Sequence, residues 1–236
     1  MITVYWSCNH HNSPSALRAE EPVQLQSHFF EKYPAEQVDG YRRCPSVRKF
    51  FNNVYGLKGY YDYRIDFNLS EGIINSSEYT KDFLHRLLVR NMESALFSWP
   101  TDYVFFTDAK SLELEIYPAF MESNDFVNKT NLIPGILDIG KWYRPLDCAF
   151  HLKEKNCSIQ FSIKDILMNL RFRTEEKIEF KYFTISKEMS EFTNELMTIK
   201  DHKYPSKTTS ILSYYYDVFA KKNFKKNILK FINKEI

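Results

Sequence analysis

Residues 132–172, LIPGILDIGKWYRPLDCAFHLKEKNCSIQFSIKDILMNLRF, are the stretch whose reading decides the fold. Leu146, Cys148, Phe150 and Leu152 alternate with Asp147, Ala149, His151 and Lys153. Period two marks a strand with one face on a core, because successive side chains leave the backbone on opposite sides. After Glu154-Lys155-Asn156 the alternation returns, with Cys157, Ile159, Phe161 and Ile163 set against Ser158, Gln160 and Ser162. The two strands are expected to fold back on each other, pairing Leu152 with Cys157, Phe150 with Ile159 and Cys148 with Phe161. That register places every apolar residue on one face, and a one-residue slip would turn one set into water. Ile166, Met168, Leu170 and Phe172 predict a further strand with Asn169 and Arg171 on its other face. Ile178, Phe180 and Tyr182 predict a fourth. Short consecutive strands of this kind argue for an antiparallel sandwich or barrel.

Outward from this stretch the pattern continues. Ile2, Val4 and Trp6 alternate as a first strand. Ser7–Asp39, with Pro14, Pro22 and Pro34, reads as irregular connection with an extended piece near Val23–Gln26. Cys44-Pro45 opens a short helix near residues 45–53, since proline suits the first helical position. Tyr61, Tyr63, Ile65, Phe67 and Leu69 alternate without fault. Asn75 and Glu78 have capping-box spacing, which predicts a short helix followed by extended chain through 85–99. Tyr103–Phe106 and Leu112–Tyr117 read as strands flanking a turn at Asp108–Ser111, and Ser123–Thr130 as a polar connection. Beyond Ile185 the period changes to helical, at Met189, Phe192, Leu196 and Ile199, then at Ile211, Tyr215, Val218 and Phe219, then at Phe224, Ile228, Leu229 and Ile232. Strands followed by helices are the α+β pattern. The expectation is a mainly β, antiparallel sandwich domain over residues 1–185, with a helical segment over 186–236 packed on it.

Composition narrows the function classes. Aromatic residues make up 17% of the chain, with 20 Phe and 16 Tyr, far above what a disordered chain carries. Only 6 glycines are present and no Gly-rich phosphate loop occurs. A formal charge of +2 argues against a nucleic-acid partner for the molecule as a whole. No apolar run has the length of a membrane helix, and the N-terminus lacks the pattern of a secretory signal. Cys8, Cys44, Cys148 and Cys157 show no metal spacing, and buried thiols in a reducing compartment are expected.

Several residues invite chemistry. Trp142 beside Arg144 offers a ring and a guanidinium to a sugar, a base or a carboxylate. The structural alternative is that Trp142 plugs one end of the sandwich while Arg144 pairs with a carboxylate or carbonyls. His151, Asn169 and Arg171 lie on polar strand faces and would converge on an anion if that face lined a cavity. If it faced water they would be ordinary surface residues. Cys8, His10 and His11 are a poor tetrahedral zinc set without a second pair elsewhere, so no metal and no cofactor is expected. No nucleophile elbow or paired acid and base stands out, so no catalytic residue is assigned. Lys221, Lys222, Lys225, Lys226 and Lys230 form a candidate basic surface, with the solvated side of an amphipathic helix as the alternative.

The same 132–172 stretch carries a resemblance. Gly135 followed a few residues later by Lys141-Trp142-Tyr143-Arg144-Pro145-Leu146, then an alternating strand and a strand ending Leu170-Arg171-Phe172, resembles an uncharacterised family found in tailed bacteriophages, especially of marine bacteria, with distant bacterial relatives. Tyr5-Trp6, the Cys44-Pro45 helix and Phe105-Phe106 fit the same pattern over residues 1–185. The resemblance implies a jelly-roll-like domain encoded by a phage, and it brings no catalytic residue with it. The resulting expectation is a non-catalytic binding or virion-associated protein, partnered by virion proteins or by its own copies, in the infected cytoplasm or the particle. A sugar- or nucleotide-binding protein, or a cupin-like enzyme without a recognisable metal site, is the alternative.

Overall fold

In the computed structural model the described residues are 1–8, 19–33, 35–59, 62–76, 84, 89–198 and 211–235. The chain opens with β1 (Ile2–Cys8) and β2 (Val23–Gln24), then α1 (Leu25–Lys32), α2 (Ala35–Arg43) and α3 (Pro45–Phe50). Strands β3 (Val54–Lys58), β4 (Tyr63–Asn68), β5 (Ile73–Ser76), β6 (Val89–Asn91), β7 (Leu96–Pro100), β8 (Tyr103–Thr107) and β9 (Glu113–Pro118) follow. Next come α4 (Asp125–Lys129), β10 (Thr130–Leu132), β11 (Gly135–Asp138), β12 (Asp147–Leu152), β13 (Asn156–Phe161), β14 (Ile166–Phe172) and β15 (Ile178–Tyr182). The helices α5 (Lys187–Thr198), α6 (Ile211–Lys221) and α7 (Phe224–Glu235) end the described chain. The fold is mainly β, in several mostly antiparallel sheets with helices at the C-terminal end. No sheet closes into a barrel among the described residues.

The sheet orders are β15-β1-β8, β10-β12-β7-β6, β11-β9-β14-β3-β2 and β13-β4-β5. The pairing of β12 with β13 expected from sequence does not occur. β12 pairs with β7, placing Phe150 opposite Phe97, and with β10. β13 instead pairs with β4, with Ile159 opposite Ile65 and Phe161 opposite Tyr63. Alternation dictates which side chains face inward but not which strand lies alongside. The inward set itself is as read: Cys148, Phe150, Ile159 and Phe161 all lie in one core cluster at 1% exposure or less. The 153–155 link therefore carries the chain from one sheet to another instead of turning it back. β8 and β9 repeat this behaviour, since β8 pairs with β1 while β9 pairs with β14 and β11.

Hydrogen bonds tie the sheets together. Leu146 N donates to Tyr103 O (2.8 Å), and Thr101 N donates to Leu146 O (3.0 Å), joining the β7–β12 region to β8. Gly59 N donates to Asp165 O (3.1 Å) where β3 leads to β4 and β13 leads to β14. All four sheets feed the main core, which is dense in aromatics. Tyr63 stacks on Trp99 (4.7 Å) and Phe161 (4.4 Å), and Phe105 meets Phe172 (6.3 Å).

Two further clusters cover outward faces. Val104 and Phe106, which alternate with the core residues of β8, pack against Tyr143, Tyr215, Phe219, Phe224, Ile228 and Ile232. This explains why β8 is buried on both faces and shows no polar alternation. On the other side of the core, Leu25, Phe51, Val54, Ala119 and Ile166 form the cluster under α1–α3. Ile166 belongs there, not with Met168, because the β14–β3 register shifts between those two residues.

Sequence reading missed α1, α2 and α4 within segments taken as irregular. Few apolar residues mark the first two, and α4 is a single short turn whose cap is Asn124, accepting from Val127 N (2.9 Å). The helix at Pro45 stops before Asn53, which takes a positive φ of 52°. Asn75 lies in β5, not at a helix cap, and most of the helix expected after it falls outside the described residues.

Candidate functional site

The residues between β11 and β12 are held by a single carboxylate. Asp138 Oδ1 accepts from Leu112 N (3.1 Å) and Gly140 N (3.0 Å), and Oδ2 accepts from Ser111 Oγ (2.8 Å) and lies 3.0 Å from Lys141 Nζ. Burial would raise its pKa, but the Lys141, Ser111, Leu112 and Gly140 donors outweigh this and hold the carboxyl below the usual range. Gly140 is required because a Cβ there would sit 2.9 Å from Ala109 O and 3.1 Å from Lys110 O.

From this anchored turn the next side chains disperse. Tyr143 enters the helical cluster, edge-on to Phe106 (5.8 Å), and its N–H donates to Tyr215 Oη (2.9 Å). Leu146 enters the main core. Trp142 packs on Tyr215 (4.7 Å), and Arg144 Cζ lies 5.5 Å from the Trp142 ring centre. Trp142 and Arg144 line a groove of about 280 Å3 together with Pro134, Pro145, Asp147 and Ala149. Arg144 is only 8% exposed, yet among the described residues it makes no hydrogen bond or ion pair. Trp142 Nε1 is also buried without an acceptor there.

The other strand-borne candidates are dispersed. Asn169 and Arg171 lie on the outward face of β14, beneath the N-terminal helices. Asn169 is fully buried and donates through Nδ2 to Pro118 O (3.0 Å), leaving Oδ1 without a partner. Arg171 donates to Phe50 O (3.2 Å), with its guanidinium over Phe50 (4.7 Å) and Tyr117 (5.5 Å). Burial pushes the Tyr117 phenol up to about 12, against the opposing charge of Arg171. His151 lies on β12, in a different sheet, with Nδ1 2.9 Å from Ser94 O. His151 and Arg171 thus stand on two different sheets with separate partners, Ser94 for the one and Phe50 and Tyr117 for the other. They do not converge on one ligand.

A second groove was not read from sequence. Phe29, Tyr33, Tyr41, Val47, Phe50, Phe51, Phe120 and Met121 line about 740 Å3 beneath α1–α3. Phe50 meets Phe120 edge-on (5.3 Å), and Phe29 stacks on Phe51 (5.9 Å). Tyr41 is 59% exposed, Phe50 44% and Met121 41%. The available signal was the doublets Phe29-Phe30, Phe50-Phe51 and Phe120-Met121 in polar surroundings. Two adjacent residues do not share a helix face, so one of each pair tends outward.

No protein-family model, curated protein or solved structure matches this chain. The remaining candidates therefore stand on geometry. Lys222 pairs with Glu195 (2.7 Å), and Lys225 donates to Ala109 O, its pKa lowered chiefly by burial. Lys221, Lys226 and Lys230 are exposed, so the five lysines divide between structural contacts and open surface. Cys8 is buried, whereas His10 and His11 lie outside the described residues. Among the described residues no group of three or more His, Cys, Asp or Glu side chains is placed to hold a metal. No described helix is long and apolar enough to cross a membrane.

Proposed function

We propose that this chain is a non-catalytic binding protein that holds an apolar segment of a partner protein in the groove beneath α1–α3. One observation carries the reading: the exposed surfaces of Tyr41, Phe50 and Met121 border a single aromatic groove of about 740 Å3. Clustered exposed apolar surface of this kind marks interaction sites. From Leu25 to Phe50 five basic side chains stand against three acidic ones, which favours a partner segment flanked by acidic residues. We further read the chain as a virion-associated protein of phage origin, built on a jelly-roll-like sandwich. Support for this comes from the sequence resemblance carried by Gly135–Leu146 and Leu170-Arg171-Phe172.

Phe50→Glu places a charge in the groove at a side chain that is already partly exposed. Mass spectrometry of purified particles should find many copies of the natural chain. Particles assembled with Phe50→Glu should lose the protein, while the variant stays folded in the host lysate by circular dichroism. Particles without the natural chain would overturn the virion reading. Particles that retain Phe50→Glu at full occupancy would overturn the groove.

A further inference from the structure

A strand at the end of a sheet offers its unpaired backbone groups to another chain, and most such edges here are short or covered. β2, β6 and β10 span two or three residues. β13 is covered by α4, whose Asp125 carboxylate accepts from Gln160 N (3.1 Å) and whose Lys129 donates to Ser158 O (2.6 Å). β11 gives its Asp138 N–H to Tyr216 Oη (3.1 Å). β15 differs. It runs five residues without proline or bulge and pairs with β1 on one side only. Ile2 N donates to Lys177 O (2.9 Å) and Phe183 N to Trp6 O (3.0 Å), which fixes the backbone groups that this pairing uses. Alternate residues of a strand point to the same side, so Glu179 and Lys181 also bond β1. Ile178, Phe180 and Tyr182 turn their N–H and C=O groups to the open side, where among the described residues no hydrogen bond reaches them. Phe180 is only partly buried at this edge, and Tyr182 is 47% exposed. Glu179 and Lys181 share the other face of the strand, with their charges 3.6 Å apart.

We propose that β15 pairs antiparallel with β15 of a second copy of this chain, about a two-fold axis through Phe180, so that the β15-β1-β8 sheet continues across a dimer. Charge complementarity selects both this occupant and this register. Phe180 exchanges both backbone bonds with its own counterpart, and Ile178 exchanges both with Tyr182 of the second copy. Glu179 then falls opposite Lys181 of the second copy, and Lys181 opposite its Glu179, in the closer, non-hydrogen-bonded positions. An axis through Glu179 or Lys181 would set like charges opposite each other. An axis through Ile178 would call on the backbone of Glu176, whose N–H already donates to Thr174 Oγ1 (3.1 Å) and whose carbonyl accepts from Asn53 Nδ2 (2.8 Å). An axis through Tyr182 would place Lys181 opposite Phe183 and forfeit the ion pairs. The two-fold pairing uses up the open edge of both copies, so association stops at the dimer. It does not involve the aromatic groove proposed above, and the two succeed or fail separately.

The test is sedimentation equilibrium of the full chain, which should show monomer and dimer in a concentration-dependent balance and no larger species. Glu179→Lys and Lys181→Glu each set like charges across the axis at two symmetric places, and each should weaken the dimer about tenfold. The double reversal, Glu179→Lys with Lys181→Glu, should recover the natural affinity. Phe50→Glu, which alters the aromatic groove, should dimerise like the natural chain. Register is read by mixing Glu179→Cys with Lys181→Cys, each in a Cys44→Ser, Cys157→Ser background. Oxidation should link 179 of one chain to 181 of the other, and neither variant alone should link to itself. If a charge reversal does not fold, this mixture decides. A monomer at every concentration, a dimer unmoved by the single reversals or not recovered by the double one, a dimer lost in Phe50→Glu, or no link between 179 and 181 would each overturn the proposal.

Discussion

At the scale of single residues, Asp138 shows how one side chain fixes the path of a segment. Its carboxylate gathers Leu112 N, Gly140 N and Ser111 Oγ, and Lys141 pairs with it. These contacts fix the path from β11 to Trp142 and Arg144. Asp138→Asn keeps the shape but loses the charge, and should cost about 1–3 kcal/mol. The depressed pKa means the folded state binds fewer protons than the unfolded one. The stability Asp138 contributes is therefore present above the unfolded carboxylate range and lost as pH falls through the folded value. Urea denaturation between neutral pH and pH about 3 should show a shallower acid loss in Asp138→Asn than in the natural chain. Asp125, held low mainly by Lys129, and Asp66, held low mainly by Ser158, keep part of that slope in both proteins. Equal slopes would remove Asp138 from this role. Asp138 was not singled out from sequence, because nothing local in Leu137-Asp138-Ile139 shows that Ser111 and Leu112 lie beside it. Trp142 and Arg144 were singled out, because aromatic and cationic residues next to a proline stand out in any context. That Arg144 would stack on the Trp142 ring and line a groove is a property of its surroundings and is invisible in the motif.

At the scale of elements, inward faces were legible and partners were not. Period two predicted the inward residues of β4, β12 and β13 and Met168, Leu170 and Phe172 of β14 correctly, because burial on one face writes itself into composition, but it put Ile166 on that face wrongly. The pairing of β12 with β13 failed because a short polar link serves a sheet crossing as well as a turn. The helices α1 and α2 were missed because few apolar residues mark them in the sequence; Leu25 is the buried anchor of α1. The bulge in β14 illustrates a second hidden feature. Gly56 on β3 lies where a Cβ would come within 2.6 Å of Ile166 Cδ1, with two more Ile166 carbons at 3.0 Å. The register shift has turned Ile166 outward onto this spot. Gly56→Ala should destabilise by about 1–3 kcal/mol through overpacking, and Ile166→Val in the same chain should return part of that loss. A double-mutant cycle in urea measures the coupling, and additive losses would contradict the contact.

At the scale of the whole molecule, the sheets gain their cohesion from a shared aromatic core and from helical cover on both outward faces. The C-terminal helices bury Val104 and Phe106, and the N-terminal helices bury Ile166 and Val54. Both candidate grooves lie where cover meets strand. The Arg144 groove opens beside the contact of Trp142 with α6, and the aromatic groove opens between α1–α3 and Phe120-Met121. Their positions thus depend on the topology that brings β13 to β4 and leaves β12 with β7 and β10. Disulfide trapping distinguishes that topology from a simple fold-back. Gln160 stands opposite Arg64, and its N–H points out of the ladder to Asp125 Oδ2 (3.1 Å), which makes this the closer, non-hydrogen-bonded kind of pair. In a background with Cys44→Ser and Cys157→Ser, the pair Arg64→Cys and Gln160→Cys should oxidise to a linked peptide found by mass spectrometry after proteolysis. Ala149→Cys with Gln160→Cys, the pair that a fold-back of β12 on β13 would align, should stay reduced. A link at 149–160 together with none at 64–160 would contradict the account.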